Sequence, residues 1–371
     1  MMRPMTGATS LPSDLDAITP AWLTAVLQER CPGVDVHSVE LLDAHSGTTG
    51  RARIRVTASG TPGLPETLFV KLPPFDAGQR AFVDFTGIGV VEARFYAALG
   101  DDLPVRAPRV WFAAADEAGG YVMVLEDLLG TGCRFPAPAD ADVDEVAAST
   151  VEEMARLHAR FWESSRFDTV GGGDLAWMPT RAGFGGLGDS PEAAAAAGEF
   201  VRRAVEPFRG TQSAAFNAVA DLYVARTEEI LARWDEGERT LIHGDAHMNN
   251  LFVDGRRTGF FDWAMLSRSP GVRDVSYFCC YSLPRDVRRS VEDDLLRAYL
   301  DALAAEGVSL DTDDAWRQYR LFSVYAWVSA TTTAAEGGRW QPEAYAVEGM
   351  ERAASAVEDL DAPGLLAELV G

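Results

Sequence analysis

The chain has 371 residues, 33 of them basic and 56 acidic, a net charge of −23 that argues against nucleic acid or an anionic membrane as main partner, because phosphate surfaces select basic proteins. Its 47% hydrophobic and 24% charged residues are ordinary globular composition, and the length predicts roughly two to three units with cores that need no staples. The cysteines, Cys31, Cys133, Cys279 and Cys280, form no C-x-x-C pair, so neither a zinc ribbon nor a disulfide framework is indicated.

Residues 1–14 carry no apolar segment of the signal-peptide kind. No apolar run reaches the roughly 18 residues of a membrane helix, so a soluble, cytoplasmic protein is expected. A helix begins where Thr19 can cap and Pro20 takes the first helical position; it runs through Trp22, Val26 and Leu27 and stops before Gly33. Strand-like runs follow at 34–42, at 51–57, where Arg alternates with apolar residues, and at 66–72, closed by Pro73 and Pro74. Val91, Phe95 and Leu99 share one face of a helix predicted over 90–99. Runs 110–113 and 121–125 are two more strands, so 34–125 reads as five antiparallel strands with one inserted helix. Beyond Gly130 the pattern turns helical, at 145–161, 192–209, 214–234, 284–305, 313–332 and 343–360. A β patch interrupts at 240–263, and 166–190 is a Gly-rich loop holding Trp177. Trp316, Tyr319, Phe322 and Tyr325, at threefold spacing, read as helix core.

Composition singles out a few residues. Lys occurs once, at Lys71, every other basic residue being Arg. That count leaves open both a chance surface survivor and a place where Arg does not serve. Asn occurs three times, and two of these fall with two of the five histidines in Leu241-Ile242-His243-Gly244-Asp245-Ala246-His247-Met248-Asn249-Asn250. Asp254-Gly255 then signals a hairpin turn. With 254–257 as its loop, Asn250 lies opposite Phe261 and beside Asp262, with Asp245 a few residues upstream. An amide oxygen and a carboxylate together, with a second carboxylate near, suit a hard cation bridging phosphates, and equally a base that orients a hydroxyl. The spacing H-x-D-x4-N with Asp twelve residues on has the form of the protein-kinase catalytic loop and its metal-binding Asp-Phe-Gly. Gly244 replaces the arginine, and Trp263-Ala264 replaces Phe-Gly.

On these residues the chain resembles the aminoglycoside phosphotransferase and choline kinase-like superfamily, including its ecdysteroid-kinase-like branch, over about residues 34–300. The resemblance implies an α+β, bilobal, protein-kinase-like fold. A small antiparallel-sheet N-lobe over 1–127 would bind nucleotide, and a larger, mostly helical C-lobe over 128–371 would hold the catalytic loop and substrate pocket. It implies ATP and Mg2+ as cofactors, a small-molecule hydroxyl as acceptor, and neither nucleic acid nor membrane as partner. Ser46, Gly47, Thr48 and Thr49 lie where the family has its phosphate-covering loop, although the segment departs from G-x-G-x-x-G. Lys71 matches the third-strand lysine that pins the α- and β-phosphates, a place where a planar guanidinium does not substitute for an ammonium. Glu92 matches its helix partner, and Glu126 to Leu128 match the hinge whose backbone would hold adenine. Asn250 and Asp262 would bind Mg2+, Asp245 would accept or orient the substrate proton, and His243 and Asp274 would support the loop. Leu157-His158-Ala159-Arg160-Phe161-Trp162 resembles a helix signature of the group. His247 remains open between a substrate-facing and a solvent-facing place.

Two other classes compete. A metal-dependent hydrolase would use the H-x-D-x-H cluster of His243, Asp245 and His247, although His37, His45 and His158 stand at no ligand spacing. A nucleotide-binding pseudokinase would have lost Asp245, Asn250 or Asp262, and all three are present. The acceptor is not written in the sequence: an aminoglycoside or other antibiotic hydroxyl, a choline-like alcohol and a lipophilic alcohol all fit.

Overall fold

In the computed structural model, described over residues 10–60, 63–181, 190–339 and 341–371, the chain falls into two compact units, Met1–Cys133 with Phe261–Met265, and Arg134–Phe260 with Leu266–Gly371. The division falls after Cys133, past the expected Asp127, and a five-residue segment returns to the first unit. Residues 1–9 of the N-terminal segment and 182–189 of the Gly-rich loop lie outside the described residues.

The first unit opens with α1 (Pro20–Leu27), where the Thr19 hydroxyl accepts the Trp22 N–H at 3.2 Å, as its cap residues require. There follow β1 (Asp35–Ser46), β2 (Gly50–Ser59), β3 (Thr67–Leu72), α2 (Ala77–Thr86), α3 (Ile88–Leu99), β4 (Val110–Ala115) and β5 (Tyr121–Glu126). The strands form one antiparallel sheet in the order β1-β2-β3-β5-β4. On β2 the period of two is plain: Ala52, Ile54 and Val56 are buried while Arg51, Arg53 and Arg55 are not. Of these, Ile54 and Val56 join Trp22, Leu23, Val26 and Leu27 of α1, together with Val70 and Val124, in one core cluster. Burying each such leucine or valine stabilises by roughly 1.5–3 kcal/mol. Two helices, not one, are inserted between β3 and β4. The unexpected one, α2, buries only Val83 and exposes Phe82 and Phe85, so its apolar residues trace no core face.

The second unit contains α4 (Val143–Phe161), α5 (Pro191–Val205), α6 (Ala214–Ala225), α7 (Thr227–Trp234), β6 (Thr240–Ile242), β7 (Leu251–Asp254), β8 (Arg257–Phe260) and β9 (Ser267–Ser269). It closes with α8 (Val272–Ser282), α9 (Arg285–Ala305), α10 (Thr312–Ala335), α11 (Glu343–Asp359) and α12 (Ala362–Val370). The helix expected over 214–234 is broken at Arg226, whose φ of −132° and ψ of 35° leave the helical region. Helices α8 and α12 were not expected. Every residue of α8 is buried, so no solvent-exposed face marks it, and its polar residues Asp274 and Ser282 turn to the loop that it packs against. Strand β7 pairs with β8 from Leu251↔Phe260 to Asp254↔Arg257, and β6 pairs with β9. Among the described residues, no helix is long and apolar enough to cross a membrane.

Candidate active site

Lys71 sits on β3, in the middle of the sheet, paired with Arg51 on one side and Met123 on the other. It is 4% exposed, so the lone lysine is no surface survivor. Its Nζ lies 2.7 Å from Glu92 Oε1, 2.5 Å from Glu92 Oε2 and 2.9 Å from Asp262 Oδ1. Glu92 comes from the buried face of α3, which lies so close to β5 that a Cβ on Gly89 would meet Tyr121 Cζ at 2.1 Å. Burial pushes the Glu92 carboxyl above its ordinary range; Lys71 draws it down and Asp262 adds to the rise. The Trp263 N–H donates to Glu92 Oε1 at 3.1 Å, and the Trp263 ring stacks on Phe95 at 4.5 Å. Asp262 therefore reaches Lys71 from a segment locked onto α3, with its backbone at φ 65°. That is a left-handed conformation which Asp tolerates better than most residues.

Three carboxylate oxygens already contact the Lys71 ammonium within 2.9 Å, so the larger guanidinium of an arginine would crowd them. Lys71→Arg is expected to destabilise the protein by about 1–3 kcal/mol through overpacking, and a rise in melting temperature on adding ATP is expected for the wild type and not for the variant. Wild-type melting and nucleotide response in that variant would return Lys71 to a chance role.

The expected phosphate-covering residues form the β1–β2 turn. Ser46 Oγ donates to Gln79 Oε1 of α2 at 2.7 Å and accepts the Phe75 N–H at 3.0 Å. The Gly47 N–H donates to the Thr49 carbonyl at 3.1 Å, Thr48 is half-buried, and buried Thr49 accepts from Arg51. At the end of β5, the Glu126 carboxylate takes Arg106 and the Arg109 N–H, while its own N–H donates to the Arg109 carbonyl at 2.8 Å. Leu128 is buried in the turn that Asp127 caps.

In the second unit the residues expected to form the catalytic loop run from the end of β6 to the start of β7. One face of α8 holds them. Asp274 Oδ2 accepts the His243 N–H at 2.7 Å, and Oδ1 accepts the Gly244 N–H at 2.9 Å. At the far end, the Met248 N–H donates to Ser282 Oγ at 2.9 Å. Gly244 takes φ 81°, which only glycine adopts without strain. Asp274 is fully buried and also faces His158 Nε2 at 3.4 Å, whose Nδ1 meets the Tyr299 hydroxyl at 2.9 Å. Burial pushes the Asp274 carboxyl up, but His158, His243 and the Gly244 N–H outweigh it and hold it below the usual carboxylate range. Asp274→Ala would leave these donors buried without an acceptor. The expected loss is about 3–5 kcal/mol, read as a lower denaturation midpoint, and an unchanged midpoint would contradict the anchoring role.

Asp245 accepts the Tyr277 hydroxyl on Oδ1 at 2.6 Å and the Asn250 amide N–H on Oδ2 at 3.1 Å. Asn250 Nδ2 also donates to the Asp245 carbonyl at 2.9 Å. Both neighbours are acceptors, so the amide nitrogen must face them, and the amide oxygen is left with no bond among the described residues. An amide oxygen is a hard donor of the kind Mg2+ prefers. His243 is buried, and its Nδ1 accepts the Asp245 N–H at 3.3 Å. His247 accepts the Asn249 N–H on Nδ1 at 3.2 Å; its Nε2 lies 3.4 Å from Asn250 Nδ2 and 3.6 Å from Asp245 Oδ2, and the ring stacks on Tyr281 at 5.3 Å. Among the described residues, no group of three or more His, Cys, Asp or Glu side chains is arranged to hold a metal ion. Tyr277, Tyr281 and Ser282 were not expected here, because α8 was not expected; Ser329 lies on the expected helix α10 but carried no signal of its own. Tyr325 was expected as core; it is half-buried and donates to the Gly244 carbonyl at 3.3 Å.

A model of the phosphotransferase enzyme family matches residues 41–322. Among solved structures, choline kinase from Cryptosporidium parvum Iowa II is similar at 12% identity and a TM-score of 0.54, over 92% of this chain and 96% of that one. The GDP complex of wild-type aminoglycoside 2'-phosphotransferase-IIIa is similar at 14% identity and a TM-score of 0.51, over 92% and 99%. A choline/ethanolamine kinase family protein from Mesorhizobium loti reaches 16% identity and a TM-score of 0.50, over 90% and 92%. At these identities the structural likeness establishes the fold, an α+β kinase-like one with a small sheet unit and a larger helical unit. No curated protein matches the chain.

Proposed function

The chain belongs to the phosphotransferase enzyme family, and from that premise we propose that it transfers the γ-phosphoryl group of ATP, with Mg2+, to a hydroxyl of a small natural-product alcohol such as an antibiotic. It is a small-molecule kinase with an alcohol group as acceptor. The observation that carries the nucleotide part is the burial of the only lysine between Glu92 and Asp262.

Phosphoryl transfer needs positioning and charge neutralisation more than covalent chemistry. Lys71, aimed by Glu92, pins the α- and β-phosphates. Backbone groups from Glu126 to Leu128 hold adenine, and the turn Ser46 to Thr49 covers the phosphates. Asn250 presents its amide oxygen and Asp262 its carboxylate as ligands of Mg2+. When bound, that ion offsets charge on the phosphate oxygens. Asp245 takes or orients the acceptor proton, while His243 and Asp274 keep its loop in place. Turnover of about 1–100 per second is normal for this chemistry. A reaction fed by ATP belongs in the cytoplasm, and an antibiotic acceptor would make the enzyme a resistance factor.

The test is nucleoside diphosphate release from Mg2+-ATP, and from Mg2+-GTP because a similar enzyme is known as its GDP complex. The panel spans aminoglycosides, peptide and nucleoside antibiotics, choline-like alcohols, sugars and sterol-like alcohols. Acceptor-dependent release lost in Asp245→Asn is expected; release indifferent to that substitution would overturn the assignment of the base.

A further inference from the structure

The carboxylate of Asp245 is gripped from two sides. Its Oδ2 is held from within the loop by Asn250, and its Oδ1 is held from α8 by the Tyr277 hydroxyl at 2.6 Å. A carboxylate has no proton to give, so the phenol donates. Ser329 Oγ, on α10, lies 3.2 Å from the same phenol oxygen. The single hydroxyl proton of Tyr277 is engaged with Asp245, so Ser329 must donate into the phenol oxygen, which strengthens the phenol as a donor. The ring has no freedom to turn away. It stacks on Tyr281 at 5.4 Å and packs against Tyr325 at 5.5 Å. The neighbouring hydroxyls are engaged elsewhere: Tyr281 accepts from Gln341, and Tyr325 donates to the Gly244 carbonyl. A phenylalanine would fill this aromatic column equally well, so packing alone does not explain the hydroxyl.

We propose that Tyr277, backed by Ser329, is a positioning residue for Asp245: its hydroxyl fixes the plane in which the carboxylate meets the acceptor. The role rests on the reading of Asp245 as the group that takes the acceptor proton. Burial, with the Asp245 charge second, pushes the Tyr277 phenol far above its ordinary range, so the donor keeps its proton at any working pH.

Two measurements test the proposal on the full-length protein. The first is a double-mutant cycle on turnover of Mg2+-ATP alone, with water as acceptor, for wild type, Tyr277→Phe, Asp245→Asn and the pair. Tyr277→Phe should lower kcat by about 10- to 100-fold, the range for losing a hydrogen bond to a charged group, and leave KM for ATP unchanged. In the Asp245→Asn background it should cost almost nothing, because it acts through Asp245; independent, multiplying losses would overturn the proposal. If Tyr277→Phe does not fold, Ser329→Ala should give a smaller kcat loss that likewise vanishes without Asp245. The second measurement is the downfield, slowly exchanging hydroxyl proton of the Tyr277–Asp245 bond in NMR spectra. It should be present in wild type and Tyr281→Phe and absent in Tyr277→Phe and Asp245→Asn. Persistence in either of the last two would overturn the bond itself. A protein that keeps this proton but turns over no nucleotide, with or without an acceptor, would overturn the kinase reading and the positioning role together while leaving the bond.

Discussion

Asp262→Ala is expected to reduce transfer by at least about 10²–10³-fold and to weaken Mg2+-nucleotide binding sharply. The carboxylate has two parts in the prediction. It takes Lys71 Nζ at 2.9 Å, and under the proposed function it would supply a hard oxygen for Mg2+. Lys71 keeps Glu92 after the substitution, so the lysine stays paired and the lost binding reports the metal. The backbone complicates the experiment, because Asp262 has φ 65° and a left-handed alanine costs about 1–2 kcal/mol. Asp262→Asn separates the effects, since Asn tolerates that conformation and lacks the charge. Both variants should be inactive, the Asn variant the more stable of the two, with affinity measured by calorimetry with and without Mg2+. An active alanine variant would sink the metal assignment.

Asp245→Asn should cut transfer by about 10² or more while leaving nucleotide affinity close to wild type, the pattern of a lost general base. The substitution is nearly isosteric but not innocuous. Asp245 accepts on both oxygens, from Tyr277 and from Asn250, and an amide offers one oxygen only. One of the two donors then faces an NH2 group, and about 1 kcal/mol of stability goes with it. Transfer at the wild-type rate would place the base elsewhere.

The parts of the fold that announced themselves did so through simple physics. The Thr19-Pro20 cap, the Arg/apolar alternation of β2 and the amphipathic face of α4 follow from local rules, and the structure has all three. Lys71 stood out because every other basic residue of the chain is Arg. The Asp254-Gly255 turn made the β7–β8 hairpin legible, and its register is the expected one as far as Leu251↔Phe260. Helix α8 was invisible for the opposite reason: it is buried on every side, its polar residues face the interior rather than solvent, and Arg273 and Asp274 inside it look like loop residues. Its absence from the reading hid Tyr277, Tyr281 and Ser282, the residues that hold the catalytic loop from behind. The break between α6 and α7 escaped because Arg226 carries neither Gly nor Pro chemistry. Nothing in a threefold aromatic spacing separates Tyr319, fully buried, from Tyr325, which reaches Gly244.

The most direct test of the account follows a label from the γ-position of ATP in the presence of Mg2+ and the hydroxyl panel. The account predicts that the label appears on a small-molecule alcohol with the wild-type protein, and that it stays on ATP with Asp245→Asn and with Asp262→Ala. Label on an acceptor with either variant, or label that reaches no alcohol although ATP binds at Lys71, would contradict it.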